Sequence, residues 1–69
     1  MGELKVNDPD LEKAIELLKQ KGKVSRIDLE MQYNWSWWRS RRAYEKLRWL
    51  CETGMLECEA LFGYVEMKK

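Results

Sequence analysis

Residues 25–54, SRIDLEMQYNWSWWRSRRAYEKLRWLCETG, decide the fold. Ser25-Arg26-Ile27-Asp28 has the spacing of a capping box, with an acid three residues after a serine. The spacing predicts a short helix over about 26–33, with Ile27, Leu29 and Met31 as apolar candidates, one of them left more exposed. Asn34 tolerates the left-handed conformation and is read as a turn. Ser36 then caps a longer helix over about 37–53, closed by Gly54. Ala43, Leu47 and Leu50 form its core stripe, extended by Ser40, Tyr44 and Cys51.

On the N-terminal side, Asp8-Pro9-Asp10 reads as a helix start: Asp8 caps, Pro9 suits the first turn, and Asp10 and Glu12 suit the positive dipole end. Leu11, Ala14, Ile15 and Leu18 follow at i, i+3, i+4, i+7. Lys19, Lys21 and Gly22 close a helix over about 9–21. Before it, Leu4 and Val6 suggest a short strand or a cover for the core. After Gly54, Leu56 to Ala60 and Tyr64 to Met67 alternate around Leu61-Phe62-Gly63, which predicts a β-hairpin over about 56–67. The expectation is one domain over residues 1–69, mainly α with a small hairpin. A chain of this length buries only about 60% of its unfolded surface, so its stability is marginal without help.

With no histidine and two cysteines, the sequence argues against a structural zinc. Cys51 and Cys58 are expected to be reduced, partly buried thiols. A disulfide is the alternative, since 36% charged residues hint at a thermophile, where intracellular disulfides occur. The longest apolar run is three residues, against the ~20 of a membrane span, so a cytoplasmic protein is expected. No catalytic constellation, glycine-rich phosphate loop or paired carboxylates are read, and neither enzyme activity, small-molecule substrate nor cofactor is expected. Net charge is +1, but residues 19–49 carry nine Lys/Arg against three acids while both flanks are acidic. A basic middle suggests one positive face, for which nucleic acid is the natural polyanion.

Two helices joined by a tight turn and followed by a hairpin resemble the winged helix-turn-helix family, here a three-helix bundle plus wing. The resemblance covers about residues 9–67. It rests on Ile27-Asp28-Leu29, on Asn34-Trp35-Ser36 at the turn, on Leu47 and Leu50, and on Gly54-Met55-Leu56 leading into the wing. It implies duplex DNA binding with the third helix in the major groove and the wing beside the backbone. On that reading the chain is a small stand-alone transcriptional regulator, its Lys/Glu-rich composition suiting an archaeon or one of its viruses or plasmids.

Trp38, Arg39 and Arg42 are then expected on the groove face, with Arg41, Lys46, Lys23 and Arg26 as phosphate contacts. Ser25 and Ser36 are capping residues that also sit where phosphate donors belong. Trp35 and Trp49 are expected in the core, and Trp37 and Trp38 either flat on the bundle or exposed. Two departures from the family pattern stand out. The third helix is about a turn longer at its start, unless it begins near Arg39, and the wing carries Glu57, Glu59 and Glu66 with no basic tip. The alternative function is therefore a protein-interaction module, using the acidic wing, the apolar tip Leu61 and Phe62, and exposed tryptophans; the same tip would serve a homodimer. Single-stranded nucleic acid stacked on Trp37, Trp38 and Tyr44 is a third reading.

Overall fold

In the computed structural model, which describes residues 8–68, Asp8 accepts hydrogen bonds at Oδ1 from the backbone N–H groups of Asp10 (3.1 Å) and Leu11 (3.4 Å). These satisfy donors that an α-helix leaves unpaired at its start. Helix α1, Pro9–Lys21, follows, and Gly22 closes it at φ 86° with its N–H on the Leu18 carbonyl. Leu11, Ala14, Leu17 and Leu18 are buried, whereas Ile15 is half-buried at the edge of the stripe. Leu4 and Val6 lie outside the described residues.

The capping box is formed as its spacing implies. Ser25 Oγ accepts from the Asp28 N–H (3.3 Å) and Asp28 Oδ2 accepts from the Ser25 N–H (2.9 Å). Helix α2 is Arg26–Tyr33, and Asn34 turns the chain in the left-handed conformation at φ 55°. Of its three apolar candidates Leu29 is buried, but Ile27 and Met31 are both exposed. Residues 27 and 31 share a helix face and residue 29 lies opposite, so an eight-residue helix can bury one side or the other.

Helix α3, Trp37–Glu52, is capped by Ser36, whose Oγ accepts from the Arg39 N–H (3.3 Å). It starts at Trp37 rather than near Arg39 and ends one residue before the expected boundary. Ser40, Ala43, Tyr44, Leu47, Leu50 and Cys51 are its buried side. Ser40 is fully buried and donates its hydroxyl back to the Ser36 carbonyl (2.8 Å), which satisfies its one polar group inside the core. Tyr44 lies in the core, so it is no stacking platform for nucleic acid.

The strands are β1 (Lys23–Val24), β2 (Cys58–Leu61) and β3 (Tyr64–Met67), in the antiparallel order β1-β3-β2. The hairpin is shorter than expected. Its turn is Phe62-Gly63 alone, Leu61 pairs with Tyr64, and Leu56 precedes the strand. The unexpected β1 is the segment between α1 and α2; Lys23 pairs with Glu66 and Val24 with Val65. Val24, Cys58 and Val65 face the helices, with Leu11, Leu17, Leu18, Leu29, Leu47 and Leu50 completing one core.

Contrary to the expected thiols, Cys51 and Cys58 form a disulfide, with their Cα atoms 4.8 Å apart. Spacing along the chain did not reveal it. The turn after α3 folds β2 back against the helix end, and that return brings the two cysteines together.

Candidate nucleic-acid interface

At 3.6 residues per turn, the stripe of α3 directly opposite the core is Trp38, Arg42, Glu45 and Trp49. Trp38 is 66% exposed and Trp49 55%. The core placement expected for Trp49 is therefore wrong: its position on the helix sets it opposite Leu47, and size alone does not draw a side chain inside. Trp35 is buried at the α2–α3 junction as expected, stacked on Tyr33 with ring centroids 4.9 Å apart.

The basic residues divide into two sets. Arg39 turns toward α1 and makes a two-pronged ion pair with Asp10, Nε to Oδ2 at 2.8 Å and Nη2 to Oδ1 at 2.9 Å. Its guanidinium also lies over the Trp35 ring at 4.7 Å. Lys46, on the same flank, pairs with Asp8. The hydrogen bond from Lys46 holds the Asp8 carboxyl below its ordinary pKa of 3.8, and that from Arg39 does the same for Asp10. Asp10 in turn holds Arg39 above its ordinary value. These two cations thus join helices α1 and α3.

The second set forms a continuous cluster. Trp37 sits between two arginines, with the Arg26 and Arg41 guanidinium carbons each 5.2 Å from its ring centroid. Trp38 packs edge-on against Trp37 at 4.8 Å, and Arg41 lies 6.0 Å from its ring. Arg26 also pairs with Glu30 one turn on, and Arg41 with Glu45 at 3.0 Å. Arg42 stands beside them, exposed, and has no acid partner among the described residues. The structure therefore brings Arg26, Trp38, Arg41 and Arg42 together at the front of α2 and α3. Trp37 belongs to this cluster though the duplex reading did not count it among its contacts; its position one residue after a helix cap, with a basic residue four positions on, is the signal that identifies it.

Lys23 lies apart, on β1. It pairs across the sheet with Glu66, and its ammonium sits 5.8 Å from the Tyr64 ring centroid. Glu66 faces Glu59 on its other side, so the outward face of the sheet is acidic near that lysine. Of the apolar tip, Phe62 is fully exposed and Leu61 half-buried. Ser25 and Ser36 are both engaged as helix caps.

Two shallow grooves flank the middle of α3's outer stripe. One, of about 470 Å³, is largely apolar and is lined by Leu11, Leu50 and Trp49 with Arg42, Glu45 and Lys46 at its rim. The other, of about 430 Å³, is more polar and lies among Trp38, Arg41, Arg42 and Glu45. Among the described residues no three Cys, Asp or Glu side chains are grouped to hold a metal ion, and no helix is long and apolar enough to cross a membrane. Comparison with protein-family models, with curated proteins and with solved structures finds no match to this chain.

Proposed function

We propose that the chain is a winged-helix domain that binds duplex DNA through the front of α3 and serves in transcriptional regulation. The observation that carries the reading is the cluster of Trp37, Trp38, Arg41 and Arg42 on the exposed side of the helix that follows a tight turn, joined by Arg26 from the start of α2. A helix presented this way fits the major groove, and arginine suits both guanine edges and phosphate. Arg42 is the candidate base reader, since among the described residues it forms no ion pair. Arg26 and Arg41 are candidate phosphate contacts, whereas Lys23, beside Glu66, stands apart from them. Arg26 and Arg41 sit in exposed or half-exposed ion pairs with neighbours on their own helices, and such pairs are weak enough to exchange for phosphate. Arg39 and Lys46 contribute by fixing α3 on α1.

The test is fluorescence anisotropy with a mixed-sequence duplex over a salt series. Two phosphate-neutralising cations imply a loss of about tenfold in affinity between 50 and 200 mM salt. Arg42→Ala is expected to cost about 1–3 kcal/mol at the preferred site and to relax preference at one position. Arg41→Ala is expected to weaken all sequences alike and to lower the salt slope by about one. Absence of duplex binding at low salt overturns the proposal.

A second reading, a protein-interaction module, is favoured by the hairpin. Phe62 is fully exposed at its tip, and Glu57, Glu59 and Glu66 lie on or beside its strands. These features repel phosphate and suit a basic or apolar protein surface. Retained partner capture by Arg42→Ala together with its loss in Phe62→Ala would favour this reading over the first.

A further inference from the structure

The outer stripe of α3 has a symmetry that DNA binding does not require. Trp38, Arg42, Glu45 and Trp49 are spaced four, three and four residues apart, the alternation of a helix-packing seam. The stripe is also symmetric about its midpoint between Ala43 and Tyr44. The two tryptophans lie equally far to either side, and so do Arg42 and Glu45.

We infer that α3 pairs antiparallel with α3 of a second copy of this chain about a two-fold axis through that midpoint, forming a homodimer that covers the cluster proposed to meet DNA. A two-fold interface must be complementary to itself, and this stripe is. The axis brings the partner's Arg42 to the groove edged by Glu45 and Trp49, a carboxylate and an aromatic face. It brings the partner's Glu45 to the groove edged by Arg41, Arg42 and Trp38. Trp38 of each copy comes level with Trp49 of the other, which shields both from water.

The flanks permit the approach. Arg39, Lys46 and Arg48 border the stripe, and each already holds an acid of its own chain, Asp10, Asp8 and Glu52, while Arg41 shares Glu45 with the incoming Arg42 of the second copy. Two copies therefore meet without a row of bare cations on either side. Two tryptophans per copy, each more than half exposed, supply an apolar area on the order of 400–500 Å² across both copies. That belongs to the small, reversible class of interface.

Pairing is independent of DNA binding. Its regulatory consequence rests on the reading above, since dimer and duplex compete for Arg42 and Trp38.

The test is sedimentation of the purified chain without DNA, at low salt, up to about 1 mM. Wild type is expected to dimerise. Arg42→Glu and Glu45→Arg each place like charges opposite one another twice, and each is expected to raise the dissociation constant about tenfold or more. The double variant, with both changes, restores every opposition and is expected to regain the dimer. Trp38→Ala is expected to remove it. All three positions are exposed, and unchanged circular dichroism confirms the fold. Three outcomes overturn the inference: a monomeric wild type at the highest concentration, single variants that associate like wild type, or a double variant that stays monomeric after the single ones dissociate. Duplex affinity of the dilute proteins separates the two proposals. Arg42→Glu and the double variant both lose DNA if the DNA reading holds. Dimerisation with no duplex binding in wild type sinks that reading alone.

Discussion

At its front end α3 is tied to α1 by charge; at its rear end it is tied to β2 by a covalent bond. Arg39 in the first turn and Lys46 just past the middle hold Asp10 and Asp8, with Trp35 beneath the Arg39 guanidinium. Behind, Cys51 and Cys58 join the last turn of the helix to the first residue of the hairpin. Ion pairs at a surface exchange with salt, water and phosphate, whereas a disulfide does not. The front is therefore the adjustable end. The rear fixes the direction in which the hairpin leaves the helix.

The contrast can be broken most severely at the front's apolar support. Trp35→Ala removes a buried indole on which both Tyr33 and Arg39 stack, and it is expected to cost about 3–5 kcal/mol in urea unfolding. A cost below that of a surface substitution would mean that the ion pairs alone hold the front.

Replacing both cysteines, Cys51→Ser with Cys58→Ser, is expected to cost about 2–3 kcal/mol, because the bridge closes a short loop in the unfolded chain. Reductant is expected to lower the melting temperature of wild type and to leave the double serine variant unmoved. Amide exchange should quicken in Cys58–Leu61 and Tyr64–Met67 while α1 keeps its protection.

Acid sharpens the same comparison with a smaller effect. Lys46 holds Asp8, and Arg39 holds Asp10, below the ordinary 3.8. For Asp28, burial pulls upward, but the hydrogen bonds with Ser25 and the charge of Lys21 outweigh it and lower its pKa as well. The unfolded chain thus takes up protons before the folded one as pH falls. The stability these groups supply is complete above about pH 5 and is lost as pH drops through their lowered folded values. The urea midpoint should fall on acidification, and the fall should be shallower in Asp10→Asn. The stability difference between wild type and the double serine variant should be the same across that range.

Much of the fold was legible because its signals are local. Asp8-Pro9 at one end and Gly22 at the other bound α1, the Ser25–Asp28 box starts α2, and Asn34 and Ser36 separate it from α3. What escaped depends on pairing between distant residues. β1 is two residues long and becomes a strand only through β3, some forty positions on. The acid partners of Arg39 and Lys46 lie 29 and 38 residues earlier, so a helical wheel shows the cations but not their neutralisation. The candidate site was legible in part: Arg26, Trp38, Arg41 and Arg42 do cluster, while Arg39 and Lys46 turn to α1 and Lys23 to an acidic sheet face. Trp49 is a different kind of miss. The period of α3 already places it opposite Leu47, and the expectation that a large apolar residue goes inside overrode that pattern.

The sheet order β1-β3-β2 has a consequence for the chain as it leaves the ribosome. β3 is central in space but last of the three strands in synthesis. Until Tyr64–Met67 emerges, neither β1 nor β2 has a strand to pair with. The three helices are complete by Glu52, and their contacts can condense first. The last strand to emerge then closes the sheet from its middle, joining the segment after α1 to the strand anchored on α3 in a single step.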